Sequence, residues 1–392
     1  MRFSPQKAWK GKLVSACAEA MPPIVSRLGS IASAKDSAAD KDSAAEKAAP
    51  EKKKQPDEVR VGIDLGTSRS SITSSHGQRH VVESYVGWPA DMVARKVLKR
   101  DVLIGDEALE NRTMLDLFRP LEEGLIKEGS SRDVAAVREL LGHLLKMADA
   151  TNGNGRKVRA VVGVPAASLR VNKASLRKAL SDLVDSLIIV SEPFAVAYGL
   201  EALLHTMIID IGAGTADFCV MRGRLPTEED QRTLTTAGDW LDEQLELLIR
   251  ERHPEASFTI HMVRDWKEAH SFVGEPKERV KVTVPVAGRP TEIDITEPMR
   301  QACESLLPPI IETMHDLLSR VDPEYQERVR NHIVLAGGTG MIRGIDKHLA
   351  KALDEVGGGS VRRVSDPVFA GSDGGLSIAL EAPDSDWDRL AG

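Results

Sequence analysis

The segments GIDLGTSRSSI (62–72) and IIDIGAGTADFCV (208–220) decide the fold. Each sets an aspartate at the end of an apolar run, then glycine and small hydroxyl residues, then a second apolar run, which reads as strand, tight turn, strand. Two such segments, far apart in one chain, predict one hairpin in each half of a duplicated domain. Their composition has a chemical reason. Gly66, Gly212 and Gly214 permit turns in which backbone N–H groups converge on an anion, and Thr67, Ser68 and Thr215 add short hydroxyl donors. A carboxylate beside phosphate is repelled unless a divalent cation lies between, so Asp64 and Asp210 imply magnesium held largely through water. Asp217, in the outgoing arm, is placed to contact either that hydration shell or the loop backbone. Either hairpin alone fits equally well a Gly/Thr turn between buried strands with an Asp cap.

Two other phosphate motifs are excluded. GAGTAD begins like a dinucleotide fingerprint, but Asp217 occupies the place of the third glycine, and no G-x-x-x-x-G-K-[ST] sequence occurs. A third loop, IVLAGGTGMIRGI (333–345), joins a strand to a helix start through Gly337 and Gly338, whose bare backbone gives a flat adenine a surface, with Thr339 and Met341 following. The three loops in this order specify a nucleotide cleft.

Working outward, VRVGIDLG (59–66), VRAVVGVP (158–165), LHTMIIDIG (204–212) and NHIVLAGG (331–338) read as buried strands, and DVAAVRELLGHLLKMA (133–148) and KASLRKALSDLV (173–184) as helices. The alternation predicts an α/β architecture. Pro/Gly-punctuated stretches at 85–130 and 250–297 read as inserted lobes, the second containing a hairpin over 281–296. DPVFAGSDGGLSIALE (366–381) reads as a glycine turn entering a short helix.

Composition narrows the class. The 392 residues include 42% hydrophobic and 28% charged, with no apolar run long enough to span a membrane. Cys17, Cys219 and Cys303 offer neither a disulfide framework nor metal-ligand spacing, so a reducing cytosol is expected. Cys219 alternates along a strand and is expected to be a small buried position. Net charge is −7 and aromatics are 4%, so nucleic acid is not expected as the main partner. The charge is uneven: residues 1–57 hold eleven Lys/Arg and seven Asp/Glu, a net of +4, against −11 for the rest. KDSAAD and KDSAAE (35–46) mark a linker. Ahead of it, Trp9, Leu13, Cys17 and Met21 at i, i+4 spacing among lysines suggest that residues 2–21 either form a disordered basic tail or make weak contact with an anionic membrane.

At this point the sequence resembles the actin, Hsp70 and sugar-kinase superfamily, and within it the bacterial actins of the MreB type, including those that organise magnetosomes. RDVLIGDEAL (100–109), RPLEEGLIKEG (119–129), VVGVPAASLR (161–170), VSEPFAVAYGL (190–200) and TAGDWLDEQL (236–245) sit in the family's order, and only residues 1–57 fall outside. The resemblance implies an actin-like, duplicated ribonuclease-H-like α/β fold with nucleotide in the central cleft. It implies subdomain IA from 58–85, 128–203 and 366–386; IB from 86–127; IIA from 204–240 and 298–365; and IIB from 241–297. It implies ATP/ADP and Mg²⁺ as cofactors, ATP hydrolysis, self-assembly into cytoplasmic cytoskeletal filaments, and, as further partners, another bacterial actin and magnetosome adaptors.

The resemblance also assigns roles. Glu192 matches the glutamate that orients the attacking water; Ser191 and Pro193 equally suit a helix start. Asp64 and Asp210 match the magnesium-associated aspartates, Asp210 with a catalytic part. Lys267 and Glu268 match a step whose acid meets the ribose, a solvated helix face being nearly as good a reading. Gly238 and Asp242 match a loop near the nucleotide. Departures are Ala216, where many relatives have threonine, and Arg69, where many have a smaller residue. An Hsp70-type chaperone would add a substrate-binding β domain, a small-molecule kinase would need a base and an open substrate pocket, and a modulator of another actin would hold nucleotide with little turnover.

Overall fold

The computed structural model describes residues 58–127, 130–152 and 156–389, all within one unit that extends from Lys54 to Gly392. The expectations for residues 1–57 lie outside the described residues.

The two hairpins organise two sheets of the same design. In the first, strand Glu58–Leu65 pairs antiparallel with Arg69–Ser74, which pairs with Arg79–Glu83; on its other side it runs parallel to Lys157–Val164, followed by Ser186–Ser191 and the short Asp388–Arg389. In the second, Leu204–Ile211 pairs antiparallel with Ala216–Arg222 and then Gln231–Leu234, and runs parallel to Ile333–Ala336 and then Val361–Arg363. Each aspartate-bearing strand is thus central, buried on both faces, and reads as a continuous apolar run because parallel neighbours exclude water. The register sets Asp64 opposite Ser71 and Gly163, and Asp210 opposite Asp217 and Ala336. Both aspartates therefore emerge at the same end of equivalent strands.

Between the sheets lie helices Glu192–Gly199 and Ala370–Glu381, and the apolar cluster around Val161, Ala195, Ile208, Val334 and Ile378 joins side chains from both halves. The helix Ala370–Glu381 rides directly on its neighbours because its glycines lack side chains: a Cβ on Gly374 would collide with the Ala195 carbonyl oxygen. Outside the first sheet, Ser131–Met147 is capped by Ser130, whose Oγ accepts from the Asp133 N–H at 3.2 Å, and buries Ala136, Val137, Leu140, Leu141, Leu144 and Leu145 as one stripe. Each such leucine contributes roughly 1.5–3 kcal/mol of burial.

The inserted stretches form small sheets. Val86–Pro89 pairs with Leu103–Ile104 and Leu115–Phe118, and Lys281–Val286 pairs with Arg289–Asp294 as the predicted hairpin. Two boundaries differ from expectation. The second predicted helix spans only Lys173–Leu180, and after Gly337 a single 3₁₀ turn (Thr339–Met341) precedes helix Ile345–Ala352, because Gly344 at φ 91° breaks the segment. Cys219 and Cys303 are buried free thiols. Among the described residues no helix is long and apolar enough to cross a membrane.

Candidate nucleotide site

Both hairpin turns are fixed by their own chain. In the first, the Gly66 carbonyl accepts from Ser84 Oγ at 2.8 Å, and Ser84 N–H donates to Ser68 O at 2.7 Å, so the strand ending at Glu83 pins the turn from outside. In the second, Gly212 N–H donates to Thr215 O at 2.9 Å. Its carbonyl then gathers two distant segments: Gly238 N–H donates to Gly212 O at 3.2 Å and Thr339 Oγ1 at 2.7 Å. Gly212, Gly238 and Thr339, from three separate motifs, meet at one oxygen.

The turns face one another closely. A Cβ on Gly214 would lie 3.0 Å from Thr67 Cβ and 2.9 Å from the Gly124 nitrogen. Gly124, in the RPLEEG segment, has φ 72° and touches Thr215 Cγ2, so a third loop seals this side of the cleft. On the far side, Gly337 takes φ 77°, and Gly338 has open space where its Cβ would be, leaving bare backbone for a planar group. Met341 is half-buried against the inter-sheet cluster, so its side chain helps build the floor under this loop.

Carboxylates concentrate on the cleft floor. Desolvation pushes Asp64 up to about 7; desolvation, then Asp64 and Asp217, push Asp210 up to about 8. Glu192 is held well above the usual carboxylate range by desolvation, then by Asp64, Asp210 and Asp217. Asp217 is raised by desolvation despite accepting from Thr233 Oγ1 at 2.6 Å and Ala166 N–H at 3.0 Å, both on Oδ1. It thus grips loop backbone with one oxygen while Oδ2 is buried without a partner. Glu192 Oε1 and Ser68 Oγ are also buried and unpartnered. Glu192 opens its helix beside strand Lys157–Val164, 3.8 Å from a Cβ built on Gly163, and Ser191 makes no side-chain cap, so capping does not explain the start of this motif.

A hydrated magnesium–phosphate group fits this donor set. Four carboxylates crowd together, with the charge of the others adding to desolvation at Glu192 and Asp210; orphaned oxygens lie among them, and hydroxyl and amide donors line both turns. Among the described residues no three of His, Cys, Asp and Glu converge tightly enough to cage an ion, so a cation here would take most of its ligands from phosphate and water.

Lys267 and Asp242 satisfy each other. Lys267 Nζ lies 2.7 Å from Asp242 Oδ1 and donates to the Gly238 carbonyl at 2.8 Å, bracing the start of helix Gly238–Arg252 below the second turn. Glu268, one residue on, stands half-exposed and pairs with Arg69 at 2.7 Å.

The motifs did not disclose a set of contacts spanning the cleft. Arg264 donates to Tyr85 Oη at 2.8 Å and to Asp239 Oδ1 at 3.0 Å; Arg119 donates to Asp239 Oδ2 at 2.8 Å and lies 5.6 Å over the Tyr85 ring. Tyr85 and Arg119 come from the first half, Asp239 and Arg264 from the second. RPLEEG gave the one available signal, an arginine preceding a loop that ends in a positive-φ glycine.

The MreB/Mbl protein family model matches residues 58–380. The actin-like protein MamK of Paramagnetospirillum magneticum (strain AMB-1) is 44% identical over 330 residues, covering 84% of this chain and 94% of that protein. Among solved structures, a MamK double helical filament superposes with a TM-score of 0.81 at 43% identity, covering 83% of this chain and all of that one. A non-polymerising mutant of MamK bound to AMPPNP superposes with a TM-score of 0.65 at the same identity and coverage. With twin sheets, paired turns and near-complete coverage of these relatives, the chain belongs to the MreB/Mbl family and has the actin-like fold.

Proposed function

We propose that the protein binds and hydrolyses ATP with magnesium and assembles into a cytoskeletal filament that positions magnetosome organelles. The observation that carries the enzymatic part is the pair of buried, unpartnered carboxylate oxygens, Glu192 Oε1 and Asp217 Oδ2, beside two opposed anion-binding turns. Such groups are costly to leave dry and unpaired unless a ligand completes them. Filament relatives at 43–44% identity support assembly, and AMPPNP on one of them supports the nucleotide.

In this reading Gly66, Thr67 and Ser68 donate to the phosphates from one half and Gly212, Gly214 and Thr215 from the other. Gly337, Gly338, Thr339 and Met341 form the adenosine side with Gly238, whose helix start Asp242 and Lys267 brace. Asp64 and Asp210 are the residues that would hold magnesium, which when bound would supply positive charge beside the phosphates. Glu192 accepts a hydrogen bond from the attacking water and aligns it, a positioning role that phosphoryl transfer rewards. As a carboxylate it is the stronger acceptor; desolvation and then Asp64, Asp210 and Asp217 raise its pKa, and positive charge arriving with the substrate would favour the ionised form. The subdomain division given above is the mechanical frame: IA and IIA carry the turns, and the contacts across the mouth join Tyr85 and Arg69 of IA and Arg119 of IB to Asp239 of IIA and Arg264 and Glu268 of IIB.

Sedimentation and electron microscopy on residues 54–392, with and without Mg-ATP, test the reading. Nucleotide-dependent pelleting with visible filaments is expected, and no polymer across a range of salt would overturn it.

A further inference from the structure

The contact between Arg69 and Glu268 joins the phosphate turn of one half to a helix of the other. Arg69 opens the strand leaving the first turn, next to Ser68. Its guanidinium reaches Glu83 Oε1 through Nε at 2.6 Å and Glu268 Oε2 through NH2 at 2.7 Å. Glu83 belongs to the same sheet, so that bond anchors the arginine at home while its other edge reaches across. Glu268 lies on helix Ile260–His270, which Lys267 ties to the base of the second turn. A fork-shaped side chain with two fixed donors suits this geometry, where lysine could serve only one partner well.

We infer that Arg69 is a positioning residue that holds the Glu268 carboxylate at the mouth of the cleft, orienting it toward the nucleotide's ribose hydroxyls while tying the two halves together. This rests on the nucleotide reading above. A carboxylate accepts hydrogen bonds from a vicinal diol with one oxygen or both; Arg69 engages Oε2, leaving Oε1 for the sugar. The pair thus links two tasks. Losing it should loosen the mouth and speed nucleotide release, and should also let Glu268 swing, weakening discrimination between ribose and 2′-deoxyribose. Because Arg69 and Glu268 are 46% and 38% exposed, the tie is screened by salt and modest in strength.

The test compares wild type, Arg69→Ala, Glu268→Gln and the swap Arg69→Glu/Glu268→Arg. In nucleotide-free protein, amide hydrogen exchange over 260–270 should quicken in both single variants and return toward wild type in the swap. That readout stands whether or not nucleotide binds. With radiolabelled ADP, release should accelerate about threefold in Arg69→Ala, the scale of a partly exposed pair, and recover in the swap. The preference for ATP over 2′-dATP should fall in Arg69→Ala and stay low in the swap, which restores the tie but not the carboxylate. Unchanged exchange in 260–270 together with unchanged ADP release would overturn the inference. Wild type that binds no Mg-ATP, with the exchange pattern as expected, would instead overturn the nucleotide reading and leave the inter-half tie standing.

Discussion

The backbone of Gly371 lies against the carboxylate of Asp64: a Cβ there would fall 2.5 Å from Oδ2 and 2.7 Å from Cγ. Gly337 stands to Asp210 in the same way, at φ 77°, where a Cβ would strike both Oδ1 and the Ile211 carbonyl. Each of these two aspartates is thus backed by a glycine from a later segment. Gly371→Ala should displace the Asp64 carboxylate and cost about 1–3 kcal/mol of stability through overpacking. Gly337→Ala should cost more, since positive φ adds strain. Denaturant melts and Mg-ATP affinity check both, and a wild-type affinity in Gly371→Ala would mean that Asp64 tolerates the shift.

Glu192→Gln keeps the shape of the side chain and removes its charge. Phosphate release should fall by about 100-fold or more, the usual scale for a group that positions or deprotonates the nucleophile. Mg-ATP binding and pelleting should persist. The nucleotide-free variant should melt higher than wild type, because one member of the repelling carboxylate cluster is gone.

Stability of the nucleotide-free protein should fall as pH rises. Asp64 and Asp210 have folded pKa values of about 7 and 8, above the unfolded value near 3.8, so between about pH 4 and 8 the folded state binds more protons than the unfolded one. Unfolding then releases protons and is favoured by alkali. The melting temperature of nucleotide-free protein should drop from about pH 4 to about pH 8 and level off above that, and Mg-ADP should flatten the slope. A flat profile without nucleotide would show that the cluster is not desolvated in solution.

Arg264→Ala should destabilise the body by about 3 kcal/mol, because Asp242, 1% exposed and 3.1 Å from Arg264 Nε, would keep only Lys267 as a cationic partner. Restoring bulk with Arg264→Met should recover little, which separates lost charge from lost packing in a denaturant melt.

The sequence discloses what local pattern and turn chemistry encode. Asp64 and Asp210 could be placed at strand ends because apolar runs stop at them and glycine follows. The hairpin over 281–296 was readable from alternation around a glycine. Contacts between distant segments carry no such signature. Nothing near Arg69 names Glu268, and nothing near Arg119 or Tyr85 names Asp239 or Arg264. The role of GSDGG (371–375) was hidden for the same reason: glycines that read as a turn lie inside helix Ala370–Glu381, where their missing side chains admit strand Glu58–Leu65 and helix Glu192–Gly199. Resemblance sets Lys267 and Asp242 near the nucleotide; that they are buried against each other, Nζ 2.7 Å from Oδ1, is a contact between segments that neither motif announces.

The packing of helix Ala370–Glu381 on the molecule's first described strand also bears on biosynthesis. Asp64 leaves the ribosome long before its backing glycine, Gly371, and the middle layer of the body waits for the same helix. A nascent chain therefore cannot complete its nucleotide cleft while the ribosome still holds that helix. Assembly competence would arrive only once helix Ala370–Glu381 is made and docked, which keeps a self-associating protein from polymerising through shorter nascent chains.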